Sequence, residues 1–187
     1  MDTALSTSQV CQKEQDTFRT ISLAALLTGT LHIIAANIHF YFDTGRDGAL
    51  KSSGIEEPLS FSGYLAQGGM CKYISGAVFG NEAGAGGTLM IVWGVVFHYI
   101  IAFLFTAFLF IVYTKTIKRL KKKSVVVLVY GLFTWAIMNF LVIPLSKINK
   151  FPSDPLNSIT ALLILALVMG LPVSLIAHRF YSRKGMI

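Results

Sequence analysis

The chain has 187 residues, of which 54% are hydrophobic and 13% are charged, and its formal net charge is +7. Because soluble domains carry about 25% charged residues, this composition leaves too little polar surface to cover a water-soluble globule. It excludes an ordinary soluble enzyme, a disordered chain and a nucleic-acid-binding protein, and it predicts an all-α integral membrane protein.

Four apolar segments are long enough to cross a bilayer, for which a helix needs about 20 residues. They predict a single transmembrane domain over residues 18–178, with spans at about 18–42, 88–112, 124–143 and 156–178. The flanking residues 1–17 and 179–187 are predicted to be short cytoplasmic tails. The predicted fold is therefore a four-helix transmembrane bundle.

Residues 63–87, between the first two spans, are neither a plain loop nor a full span. Polar side chains interrupt every apolar run, and eight glycines fall within the segment. We expect an extra amphipathic or re-entrant helix around residues 65–79, followed by a glycine-rich turn. Irregular backbone at membrane depth must be shielded by protein or water, so a segment that dips inward would lie against the other helices.

Three prolines and one aspartate mark helix ends or kinks in the second half of the chain. Asp154 stands where an N-cap belongs, and Pro155 fits the first helical position of the fourth span. Pro144 predicts the end of the third span. Pro172 lies inside the fourth span and predicts a kink there.

Basic residues predict the orientation, because cytoplasmic segments carry an excess of Lys and Arg. With the amino end inside, 11 basic residues lie on the cytoplasmic side and 5 lie outside, which predicts that both ends are cytoplasmic. Six form a cluster between the second and third spans: Lys115, Lys118, Arg119, Lys121, Lys122 and Lys123. This placement is typical of contact with anionic lipid headgroups. Cys11 and Cys71 then lie on opposite faces, which argues against a disulfide.

Polar side chains within the spans are the candidate functional residues, because burying an unsatisfied polar group in a bilayer costs free energy. No Asp, Glu, Lys or Arg lies in the middle of any span, so the carboxylate relay of most proton-coupled transporters is excluded. His32 and His98 each lie about 21 Å from the cytoplasmic end of their span, at about 1.5 Å per residue. We therefore expect both imidazoles at one level. Asn37, His39 and Asn139 are further candidates for a polar helix interface.

Both histidines lie on stripes of small residues, which let helix backbones approach closely in lipid. The stripes are Ala25, Gly29, His32, Ala36 and His39 in the first span, and Gly87, Ile91, Gly94, His98 and Ala102 in the second. We expect these two helices to pack along the stripes, with the histidines buried between them.

Three roles are open for His32 and His98. Each imidazole can be structural, bonded to a neighbour such as Asn37, Asn139 or a freed backbone carbonyl. The pair can also line a path for small molecules or ions, since histidine titrates near neutral pH. The third role is a bis-histidine haem b or metal site; beyond that alternative, no cofactor and no metal ligand is predicted.

These roles give two predicted functions. The first is a non-enzymatic multi-pass membrane protein, channel-like or stress-associated, with a histidine-lined helix interface. The alternative is a haem- or quinone-linked redox subunit that uses His32 and His98. An oligomer of identical chains is compatible with either function.

Several motifs carry a resemblance to known proteins. The strings YISGAVFG at residues 73–80, AGAGG at 83–87 and HYIIAF at 98–103, with residues 130–140 and Pro144, are the matching parts. They resemble uncharacterised small multi-pass proteins of bacterial inner membranes, loosely YagU-like, over about residues 65–178. The resemblance implies the topology and a bacterial inner-membrane location, and it implies no reaction. His98 is the one polar residue in the part of the motif that lies in the membrane.

Overall fold

The chain is a bundle of α-helices in a computed structural model that describes residues 2–42, 60–152 and 154–187. Side chains are described at Gln12 and from Glu14 onward, so the side chain of Cys11 and most of the predicted loop after the first span lie outside the description. The helices are α1 (Asp2–Phe40), α2 (Phe61–Ala66), α3 (Gly69–Phe79), α4 (Glu82–Ala85), α5 (Gly87–Leu120), α6 (Lys123–Ile137), α7 (Ile143–Leu145), α8 (Pro155–Ile164) and α9 (Leu171–Arg183). No strand occurs in the described residues, which confirms the predicted all-α class.

Four segments of the described chain are helical, long and apolar enough to cross a membrane: Glu14–Phe40, Gly87–Leu120, Lys123–Leu145 and Pro155–Arg183. We call them the first to fourth spans. Only 28–33% of the most apolar stretch of each is buried inside the bundle. Large apolar side chains such as Ile111 and Leu156 point outward, 75% and 73% exposed. An apolar exterior of this extent suits surrounding lipid, which supports a multi-pass membrane protein.

The first helix is longer than its predicted span. α1 begins at Asp2, so the polar segment predicted as a tail continues the helix of the first span. Gln12, Glu14 and Asp16 are all exposed in this extension. Their polarity is consistent with a helix end that projects beyond the bundle.

The described part of the segment between the first and second spans, residues 60–86, contains three helices where the sequence analysis predicted one followed by a turn. α2 and α3 are separate because Gly68 and Gly69 adopt left-handed φ angles of 104° and 46°, which a continuous right-handed helix cannot contain. Gly80, with φ 65°, ends α3. α3 packs along the amino-terminal half of the second span, and this is the most extensive contact between two helices in the described chain.

The third and fourth spans each contain a wide π-helical turn before a proline. In the third span, Met138–Val142 is such a turn and Ile143 N–H donates to the Met138 carbonyl. In the fourth, Leu165–Gly170 precedes Pro172. Such turns occur where a proline disrupts the regular hydrogen-bond ladder. The third span ends at Leu145, one residue after Pro144, and the irregularity predicted at Pro172 is a π turn.

The core of the bundle lies near the end of the spans where the basic cluster Lys115–Lys123 is found. Tyr113, Phe110 and Val126 are at most 1% exposed there. The third and fourth spans touch directly at Gly131, where an added Cβ would lie 2.6 Å from the Cβ of Ala166. This close-packed half supports the other half of the bundle, where the packing leaves a cavity.

Candidate functional site: a histidine-lined cavity

His32 and His98 lie side by side between the first and second spans. Their ring centroids are 5.5 Å apart, and the ring planes differ by only 3°. His98 is 7% exposed, and its Nε2 is 2.8 Å from the backbone carbonyl oxygen of Gly29. The structure thus brings together at one level the two imidazoles that the sequence analysis singled out.

The close approach of the two helices at this level depends on Gly29. An added Cβ at Gly29 would lie 3.1 Å from the Tyr99 ring and 3.2 Å from the Ala102 Cβ. Because a glycine stands here, the second span can lie near enough for His98 to reach a main-chain carbonyl of the first. At the edge of the same interface, the Thr30 and Tyr99 hydroxyls are 2.7 Å apart.

The geometry also fixes which nitrogen of His98 carries hydrogen. A carbonyl oxygen can only accept a hydrogen bond, so Nε2 must be the donor to Gly29. In a neutral imidazole with hydrogen on Nε2, Nδ1 is an acceptor. The described residues supply no hydrogen bond to His98 Nδ1 and none to either ring nitrogen of His32.

A cavity of about 300 Å³ lies beside the histidine pair. Its lining comes from all four spans, from α3 and from the turn after the third span, and it is apolar apart from five side chains. Those five are His32, His98, Tyr73, Thr134 and Ser146. The lining described in residues 2–42, 60–152 and 154–187 includes no Asp, Glu, Lys or Arg. A cavity of this size and character is typical of a site for a small, mostly apolar molecule.

One wall of the cavity is α3, which the sequence analysis did not assign to the site. Its lining side chains are Met70, Tyr73, Ile74, Ala77 and Val78. They follow the spacing of one helical face, so the periodicity was a signal that these apolar residues face a common partner. What the periodicity alone does not give is the partner.

Asn37 attaches this wall to the first span. Its Nδ2 donates to the Ile33 carbonyl at 2.8 Å, and its Oδ1 accepts from the Met70 N–H at 3.1 Å. That N–H belongs to the first turn of α3, where backbone donors have no partner within the helix. Asn37 is therefore a cap for α3 and is not bonded to either histidine.

The other two polar candidates lie apart from the cavity. The Asn139 amide donates to the Trp135 carbonyl of its own helix at 2.9 Å, inside the π turn of the third span. His39 is partly buried in the last turn of α1. Neither residue lines the cavity, so the structure brings together His32 and His98 but not Asn139 and His39.

Two titratable side chains of α2 and α3, Tyr64 and Cys71, are uncharged near neutral pH. Burial raises the pKa of the Cys71 thiol. Burial also raises the pKa of Tyr64 to about 12, with a further contribution from Cys71 and an opposing one from the Met70 backbone. Both groups are therefore protonated near pH 7, so neither adds a charge to these two helices.

The hydrogen bond of His98 leaves one of its ring nitrogens open to a haem iron. A bis-histidine site needs a ring nitrogen of each imidazole on one iron, and a ligating imidazole commonly donates its other N–H to a group such as a backbone carbonyl, as His98 Nε2 does to Gly29. The haem alternative therefore stays a prediction. The described residues contain no cluster of three or more His, Cys, Asp or Glu side chains suited to a metal ion.

Comparison with known proteins gives no relative for this chain. No protein-family model, no curated protein and no solved structure matches it. A function must therefore be argued from the cavity and the residues that line it.

Proposed function

We propose that this multi-pass membrane protein binds a small, neutral and largely apolar molecule in the cavity beside His32 and His98. The observation that carries the proposal is the cavity itself, about 300 Å³ with a lining from every span. Ligand sites are typically concave and apolar, with a few polar groups that orient the ligand. The two imidazoles are the polar groups best placed to do so.

The lining favours a neutral molecule over an ion. An ion that enters an apolar site loses its hydration, and that loss is very costly without a compensating charge. Among the described residues, no charged side chain lines the cavity. Among channel-like roles, the proposal is therefore the binding and passage of neutral molecules between the bilayer and the cavity, not ion conduction.

A cavity-filling substitution tests the proposal. Ala77 lines the cavity, so Ala77→Phe should occupy its space, whereas Ala66→Phe places the same side chain at an exposed position on α2. The probe is 2-methylnaphthalene, titrated into purified protein in lipid nanodiscs and followed by saturation-transfer NMR. We expect saturable binding to the wild type and to Ala66→Phe, and loss of saturable binding in Ala77→Phe. Equal binding to all three proteins would contradict the proposal.

The redox alternative has its own test. A haem-containing protein absorbs strongly in the Soret region, so a Soret band in the purified protein that disappears in His98→Ala would favour that alternative. We expect a protein without visible absorption that still binds the naphthalene probe.

We also propose an orientation, a location and a lipid partner. The excess of basic residues supports both ends on the cytoplasmic side of a bacterial inner membrane, in line with the YagU-like resemblance. The basic cluster between the second and third spans suits anionic headgroups.

Reporter fusions at the carboxyl end test the orientation. Retention of phosphatidylglycerol over phosphatidylcholine by the purified protein tests the lipid contact, and its mass in nanodiscs tests for an oligomer.

A further inference from the structure

We infer that the preferred ligand of the cavity carries a hydroxyl group on an otherwise apolar body, and that His98 Nδ1 accepts the hydrogen bond from this hydroxyl. The inference rests on the proposed function, because it concerns the ligand of the same cavity. It adds the polarity of the ligand, namely that a hydrogen-bond donor is required and not merely a polar atom.

The first step is the hydrogen bond between His98 and Gly29. The contact of 2.8 Å to a carbonyl oxygen commits the hydrogen of the neutral ring to Nε2. Nδ1 then has a lone pair and no hydrogen. An acceptor in an apolar cavity is stabilised only by a donor, and one that lacks a donor costs free energy.

The second step is that the protein itself does not supply this donor. His32 is the nearest titratable ring, but the two rings lie parallel with centroids 5.5 Å apart, and the structure shows no hydrogen bond between them. Thr134 also lines the cavity, yet its hydroxyl donates to the Tyr130 carbonyl at 2.9 Å. Ser146 Oγ likewise donates to the Ile143 carbonyl at 2.7 Å, and the described hydrogen bonds include none between Tyr73 and His98. A donor for Nδ1 therefore has to come from a molecule that enters the cavity, either water or a ligand that displaces it.

The third step is the chemistry of that molecule. Alcohols, phenols and hydroquinones combine an apolar body with an O–H donor, and they satisfy Nδ1 without bringing a charge. A quinone or an ether offers only acceptors, so it can bond to an N–H of His32 but leaves His98 Nδ1 without a partner. The site should therefore prefer the hydroxylated member of any such pair.

A pair of matched probes measures this preference. 2-Naphthol and 2-methylnaphthalene have nearly the same shape and differ in the hydroxyl. We expect the wild type to bind 2-naphthol about 2- to 10-fold more tightly, the range of one net hydrogen bond. The same ratio is measured in His98→Leu, and dividing one ratio by the other cancels the different partition of the probes into lipid.

Each outcome bears on a different statement. Loss of the preference in His98→Leu, with its retention in His39→Leu as the matched control, supports the inference. Equal binding of both probes by the wild type overturns the inference while the cavity proposal stands. If neither probe binds, the proposed function fails and the inference fails with it.

A measurement on the wild type covers the case in which His98→Leu does not fold. In protein labelled with nitrogen-15 histidine, solid-state NMR distinguishes protonated from unprotonated ring nitrogens. We expect His98 to show hydrogen on Nε2 only, and its Nδ1 signal to shift when 2-naphthol binds but not when 2-methylnaphthalene binds. Hydrogen on Nδ1 of the neutral ring, or identical spectra with both probes, would overturn the inference.

Discussion

Gly94→Ala is the substitution that most directly tests how α3 forms the wall of the cavity. A Cβ at Gly94 would lie 2.6 Å from the carbonyl carbon of Cys71, and closer still to its oxygen. These are backbone atoms of α3, so no side-chain rotation relieves the overlap. To restore an ordinary carbon contact of about 3.5–4.0 Å, α3 would have to move away by about 1 Å.

The expected loss of stability combines two opposing effects. Overpacking costs about 1–3 kcal/mol, whereas Gly→Ala within a helix gains about 1 kcal/mol. Because the backbone of α3 must move, we expect the overpacking cost to lie at the upper end of this range. The net loss of stability is then about 2 kcal/mol. Gly131→Ala should lose a similar amount, since a Cβ there would lie 2.7 Å from the Cα of Ala166.

Gly84→Ala is the matched control, because nothing lies within 4 Å of an added Cβ at that position. It should leave stability unchanged or raise it by up to about 1 kcal/mol. The assay is thermal unfolding of the three variants and the wild type in the same detergent. A loss of about 2 kcal/mol lowers the Tm of a chain of this length by roughly 4–8 °C. If Gly94→Ala is as stable as Gly84→Ala, the backbone contact between α3 and the second span is wrong.

Three further predictions concern the wall and the helix ends. Because burial raises the pKa of the Cys71 thiol, little of it is thiolate at pH 7. In a variant whose other cysteine is replaced by serine, maleimide should label Cys71 slowly at pH 7, and the rate should rise only above the pH at which an ordinary thiol ionises. A labelling rate equal to that of a free thiol would contradict this prediction. Asn37→Leu leaves the Met70 N–H without its acceptor and should cost about 1–2 kcal/mol in unfolding experiments, more than Asn139→Leu. Asp154→Ala removes the cap of the fourth span and should cost about 1 kcal/mol, whereas Asp154→Asn should cost almost nothing; equal melting temperatures for these two variants would argue against the cap.

The features that could be predicted from sequence are those that depend on one helix at a time. Hydropathy and length predict the four spans, and the helical rise predicts that His32 and His98 share a level. The cap at Asp154 is confirmed, since its Oδ1 accepts from the Leu156 N–H at 2.9 Å. Each of these depends on local chemistry or on a distance along one axis, so no knowledge of the packing is needed.

The features that could not be predicted depend on which surfaces meet. The small-residue stripe of the second span was expected to face the first span throughout, but only part of it does so. Gly29 meets Tyr99 and Ala102, as expected for that pair of helices, whereas Gly94 meets the Cys71 backbone of α3. A stripe shows that some backbone can come close, but it does not show which one.

The position of α3 also explains how an apolar cavity survives beside a helix that does not span the bundle. An isolated short helix exposes backbone groups at both ends, and these cannot be left unsatisfied in an apolar environment. The Met70 N–H at one end bonds to Asn37, and near the other end the Ala77 carbonyl accepts from the Lys147 N–H at 3.0 Å. The contact of Gly94 with the Cys71 backbone adds to the first of these. Main-chain contacts therefore hold α3 in its first turn and near its carboxyl end. The cavity is therefore bounded by a wall that is fixed through main-chain contacts, so its shape depends less on the identity of the apolar side chains that line it than on Asn37 and Gly94.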